Sequence, residues 1–88
     1  MLSTAERANR LKADFLQIDS LAALTFSGLA LNATDEEERE NATHVARKAF
    51  DTIITFQKRI SLTALDAEKL THNLDRLKHE LERLGERF

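Results

Sequence analysis

Arg39 and His44 are the residues whose types and spacing come nearest to a catalytic pair in this sequence. An arginine holds a phosphate through paired N–H donors, and an imidazole transfers protons near neutral pH. The pair therefore suggests chemistry on a phosphate group. Acidic neighbours of Arg39 oppose this, because they repel a phosphate and neutralise the guanidinium. These neighbours are Glu36, Glu37, Glu38 and Glu40.

The same spacing resembles the arginine–histidine motif of helical HEPN-type ribonucleases. The resemblance implies that Arg39 holds a phosphate and that His44 moves a proton. A charged helix start, with ion pairs between residues four apart, is the interpretation that we favour. A helical-bundle ribonuclease or another phosphate-handling protein using Arg39 and His44 is the first alternative function.

His72 and His79, with Asp75 between them, have spacings at which one helix offers nitrogen and oxygen ligands to a metal. The heptad pattern described below places both histidines farthest from the packed face, about 10 Å apart along the helix axis. We therefore expect a solvated face, and a metal-binding helical bundle is the second alternative function. The sequence contains no cysteine, which excludes thiolate sites, and we expect neither a metal nor a cofactor.

Capping signals divide the chain into three predicted helices, at about 4–31, 35–60 and 64–87. Proline is absent and there are two glycines, which disfavours turn-rich β architectures. Matched lengths and short links predict an all-α, up-down-up bundle of three antiparallel helices, with residues 1–88 as a single domain. The capping pairs are Ser3 with Glu6, Thr34 with Glu37, and Thr63 with Asp66.

Predicted helix 3 has one narrow apolar row with alternating spacings of three and four, which is typical of a heptad packing face. Nearly all other residues after Leu70 are charged or polar, so this helix has one packed face and one solvated face. The row consists of Ala67, Leu70, Leu74, Leu77, Leu81, Leu84 and Phe88.

Predicted helix 1 carries two apolar rows, and a three-helix bundle covers one of them. We expect the first row to pack inside the bundle: Ala8, Leu11, Phe15, Ile18, Ala22 and Leu29. We expect the second row to stay open and bind a partner, because contiguous exposed leucines mark an interface. Gly28 in that row suggests that a neighbouring backbone passes close by. The second row is Leu21, Leu24, Gly28 and Leu31.

These patterns favour a small, non-catalytic helical module for oligomerisation or protein interaction. We expect a homodimer formed through helix 1 or helix 3, with a further protein partner open. The net charge of −2, without a strongly basic block, disfavours nucleic acid as a partner. The apolar segment 21–31 is much shorter than the roughly 20 residues that cross a bilayer, so we expect no membrane association and a cytoplasmic location.

Overall fold

The computed structural model describes residues 2–88 and shows three α-helices joined by short links. α1 spans Thr4–Asn32, α2 spans Glu36–Gln57 and α3 spans Ala64–Arg83. They form an elongated up-down-up bundle of 50 × 18 × 17 Å, in which α1 contacts both other helices. The predicted all-α, three-helix architecture is confirmed.

Each helix begins at a residue whose side chain accepts a backbone N–H. The predicted caps of α1 and α3 are confirmed, with Ser3 and Thr63 as the acceptors. The cap of α2 is Asp35, which accepts the N–H of Glu37 at 3.3 Å. The predicted capping box at Thr34 is therefore wrong by one residue. Aspartate caps a helix as well as threonine does, and its charge also suits the positive end of the helix dipole.

α3 ends four residues before its predicted end because Gly85 reverses the backbone. Gly85 has a φ of 94°, which glycine adopts without steric cost. The N–H of Glu86 then donates to the carbonyl of Leu81 at 2.9 Å, and that of Gly85 donates to Glu82 at 3.0 Å. These two hydrogen bonds form a Schellman motif, which satisfies the last carbonyls of the helix.

α2 also ends earlier than predicted, at Gln57, and the link after it is held by α1. The Asn9 side chain donates to the carbonyl of Ser61 and accepts its N–H. Ile60 lies outside the helix and still packs against the core. The apolar pattern therefore continues beyond the helix end, which explains why periodicity overestimated its length.

The core lies along α3 and the facing sides of α1 and α2, and the predicted row of α3 supplies its largest part. Leu77 and Leu81 are fully buried. Phe88, predicted as the last member of this row, lies beyond the helix and packs edge-on against Phe50, with ring centroids 5.0 Å apart. The buried cluster comprises Leu16, Ala23, Ala46, Phe50, Ile53, Leu70, Leu74, Leu77 and Leu81.

The packed side of α1 is not the predicted one. Small and polar residues face the core, and the expected row of Leu11, Phe15, Ile18 and their neighbours is exposed. Small side chains let α1 approach its neighbours closely, and the larger apolar residues project elsewhere. The buried residues of α1 are Ala13, Leu16, Ser20, Ala23, Ser27 and Ala30.

Two buried serines of α1 belong to a polar contact line with α3. Ser20 donates to the carbonyl of Gln17 at 2.7 Å and accepts the side-chain amide of Asn73 at 3.1 Å. Ser27 donates to the carboxylate of Glu80. Across residues 2–88, no buried side-chain nitrogen or oxygen lacks a hydrogen-bond partner. The serines are therefore buried without the cost of an unsatisfied polar group.

An ion pair continues these polar contacts between α1 and α3 at the end where α3 begins. Arg10 donates to Asp66 through a 2.6 Å contact between Nη1 and Oδ2, and it also pairs with Asp14. The hydrogen bond from Arg10 lowers the pKa of Asp66, and burial of that carboxyl opposes the effect. The hydrogen bonds to Asp66 and then Asp14 raise the pKa of Arg10.

Candidate interaction surface

Arg39 and His44 lie in the first half of α2, about 140° apart around the helix axis. The Arg39 guanidinium donates to the carbonyl of Ala33 at 3.2 Å and pairs with Glu36 at 3.4 Å. His44 is exposed. The helix thus directs the two side chains apart, and the contacts of Arg39 are those of a helix start. Catalysis at these residues stays a hypothesis.

The two histidines of α3 are exposed, as their heptad positions predict. Among the residues that the structure describes, no group of three or more potential ligands comes together to hold a metal. Asp75 lies beside His72 and His79 on the same solvated face.

The interface predicted from sequence does not form one open surface. Leu24 packs against the core, and Leu31 is half-buried. A Cβ added to Gly28 would meet nothing within 4 Å, so no other helix of the described chain passes close to it. Leu21 is the exposed member of the four, at 54%. We therefore place the candidate surface elsewhere on α1.

The first apolar row of α1, taken from Leu11 onward and extended by Phe26, is a long uncovered apolar feature of this helix. Leu11 is 70% exposed, and Phe15 and Ile18 are each 63% exposed. The spacings of four, three, four, four and three keep the row on one side of α1 over about five turns, or about 27 Å. The row consists of Leu11, Phe15, Ile18, Ala22, Phe26 and Leu29.

α2 widens this row into a two-helix surface. Val45 and Phe56 are exposed and lie three turns apart on the same side of α2. Phe56 borders a groove of about 480 Å³ between the helices, which Leu11 and Phe15 line from the opposite side. The six residues of the α1 row together with Val45 and Phe56 are called the apolar face below.

The sequence analysis identified most of the α1 part of this face and assigned it to the wrong environment, inside the bundle; Phe26, Val45 and Phe56 were added by the structure. The signal for the correct assignment is a second heptad row on α1, whose spacings of three and four match those of α3. Two serines interrupt its apolar character, so hydrophobicity favoured the row with larger side chains. The overlooked row is Ala13, Leu16, Ser20, Ala23, Ser27 and Ala30.

No protein-family model, curated protein or solved structure matches this chain. Within residues 2–88, none of the helices has both the length and the apolar character needed to cross a membrane. The function proposed below therefore depends on the apolar face and the charges around it.

Proposed function

We propose that this chain is a non-catalytic protein-interaction module that associates with a second copy of itself through the apolar face. The observation that carries the proposal is the uncovered row on α1. Leu11, Phe15 and Ile18 are more than half exposed along one side of a 29-residue helix. Burying such side chains is the main source of free energy in protein association.

The size of the face supports an interaction with a folded protein. Its seven large side chains leave about 750 Å² of apolar area uncovered, from their exposed fractions and roughly 200 Å² per side chain. The largest apolar patch on a typical monomer is about 300–600 Å², and a stable interface buries about 800 Å² per partner. Two copies of this face would therefore bury close to the area of a stable dimer interface.

Sedimentation equilibrium tests this proposal with two matched substitutions. Phe15→Glu places a charge in the apolar face and should convert the dimer to a monomer. Leu65→Glu is the control, because Leu65 is 59% exposed on α3, outside the face. It should leave the dimer intact. Both positions are exposed, so neither change creates a cavity in the core.

Leu21→Glu compares this surface with the one predicted from sequence. We expect no loss of association, because Leu21 lies on another side of α1. A wild-type chain that stays monomeric at high micromolar concentration would contradict self-association. Dissociation by Leu21→Glu, with a dimeric Phe15→Glu, would instead support the interface of Leu21, Leu24, Gly28 and Leu31.

A further inference from the structure

We propose that the two copies pack with opposite polarity, so that α1 lies antiparallel on the partner's α1 and α2 antiparallel on the partner's α2. This inference rests on the proposed function and specifies the partner, its orientation and its residue pairing. The two-fold axis would cross the apolar face near position 20 of α1. The evidence is the distribution of size and charge along the face.

The α1 row is complementary to itself when one copy is reversed. Reversal about position 20 brings Leu11 opposite Leu29 of the partner subunit and Phe15 within one residue of the height of Phe26 of the partner subunit. At the centre, Ile18 meets Ala22 of the partner subunit, so that a large side chain faces a small one. Such a two-fold interface uses the same patch on both copies.

The same axis also pairs the exposed residues of α2. The groove between the helices is lined by residues 11–19 of α1 and by residues 52–60, so the middles of these two stretches, near Phe15 and Phe56, lie at about the same height. The two helices run antiparallel with the same rise per residue, so five residues forward along α1 correspond to five residues backward along α2. Position 20 of α1 therefore lies about level with position 51 of α2. Reversal about that height places Val45 close to Phe56 of the partner subunit. One two-fold axis therefore relates both α1 and α2 to the same helices of the partner subunit.

The charges at the two ends of the face favour this orientation over the parallel one. Arg7 lies one turn before Leu11, and Lys58 and Arg59 follow Phe56, so at one end these three exposed cations outnumber the exposed carboxylate of Glu6 beside them. The other end carries the acidic start of α2, in which Glu38 lies two turns before Val45. The exposed carboxylates at that end belong to Asp35, Glu36, Glu37, Glu38 and Glu40.

Reversing one copy places the cations of each end near the carboxylates of the other copy. Glu38 is about level with Ala33, just after the end of α1, and reversal brings that height close to Arg7 of the partner subunit. A parallel pair would instead put the two acidic ends together and the two basic ends together. Like charges across an interface disfavour that arrangement, and opposite charges set the register.

A cysteine-pairing experiment tests the orientation, and the chain is suited to it because it contains no cysteine. Leu11→Cys and Leu29→Cys are made as separate variants at exposed positions. The two are mixed in equal amounts, unfolded and refolded together to exchange subunits, and then oxidised. One variant is labelled with nitrogen-15, because the two variant chains otherwise have the same mass, and mass spectrometry then distinguishes the mixed disulfide from the two symmetric ones. We expect the mixed disulfide in large excess.

Sedimentation of the same mixture under reducing conditions separates the two proposals. A dimer that yields symmetric disulfides, a statistical mixture or no disulfide would overturn the antiparallel pairing and leave self-association standing. A monomer under reducing conditions would overturn both. Leu65→Cys is the control, because α3 lies outside the face. Mixed with Leu11→Cys and treated in the same way, this variant should give little mixed disulfide.

Discussion

Leu77 and His79 are two residues apart on α3 and have opposite environments. Leu77 is fully buried, whereas His79 is exposed on the solvated face. Both environments follow from the heptad pattern, because the apolar row of α3 is narrow and its other positions are charged or polar. The energetic importance of each residue can therefore be stated in advance.

Leu77→Ala should lower the free energy of unfolding by about 2–5 kcal/mol, because it removes a buried side chain and leaves a cavity. His79→Ala should change it by less than about 0.5 kcal/mol. Urea unfolding at one fixed protein concentration compares them, since the proposed association would make apparent stability depend on concentration. Equal losses for the two variants would mean that the packed face of α3 is assigned wrongly.

The ion pair between Asp66 and Arg10 makes the stability of the bundle depend on pH in the acidic range. Arg10 holds the pKa of this carboxyl below its ordinary value of 3.8. The ion pair therefore contributes fully above that pH, and the contribution is lost as the pH falls through the lowered pKa. Asp66→Asn should flatten the fall in unfolding free energy over this acidic range. Parallel stability curves for the two proteins, measured by urea unfolding at several pH values, would contradict this account.

The helices show how much of the fold the sequence predicts. For α3, leucines alternate with charged residues, so local pattern alone identifies the packed face. For α1, both sides carry apolar residues, and the choice depends on the partners of Ser20 and Ser27. Those partners are Asn73 and Glu80, each 53 residues away in the sequence. A local pattern contains no information about such distant contacts. For that reason the sequence analysis placed the interface on a different side of α1 from the apolar face.

The start of α2 provides a test at a single helix end. Asp35→Ala should cost about 0.5–2 kcal/mol of stability, because it removes the acceptor for the N–H of Glu37. Thr34→Ala should have a smaller effect, since Thr34 precedes the cap. Thermal unfolding followed by circular dichroism measures both. A larger loss for Thr34→Ala would restore the capping box predicted from sequence.

The whole molecule is a rod with one side of α1 left uncovered. α3 packs along the side of α1 that carries the serines, and α2 leaves the row from Leu11 to Leu29 open. A second copy would cover this row and bring four apolar helices together between two outer ones. The fold and the proposed assembly would then have one explanation, because the residues that the single chain leaves outside would form the core of the proposed dimer.

Nuclear Overhauser effects between subunits test the apolar face most directly. A dimer of one isotope-labelled and one unlabelled chain reports contacts across the interface, and the side chains of the face provide the methyl and ring protons. We predict contacts between subunits for Leu11 with Leu29 and for Phe15 with Phe26, and none from Leu21 or Leu65. Contacts from Leu21, or no contacts from the face at a concentration where sedimentation shows a dimer, would contradict association through the apolar face.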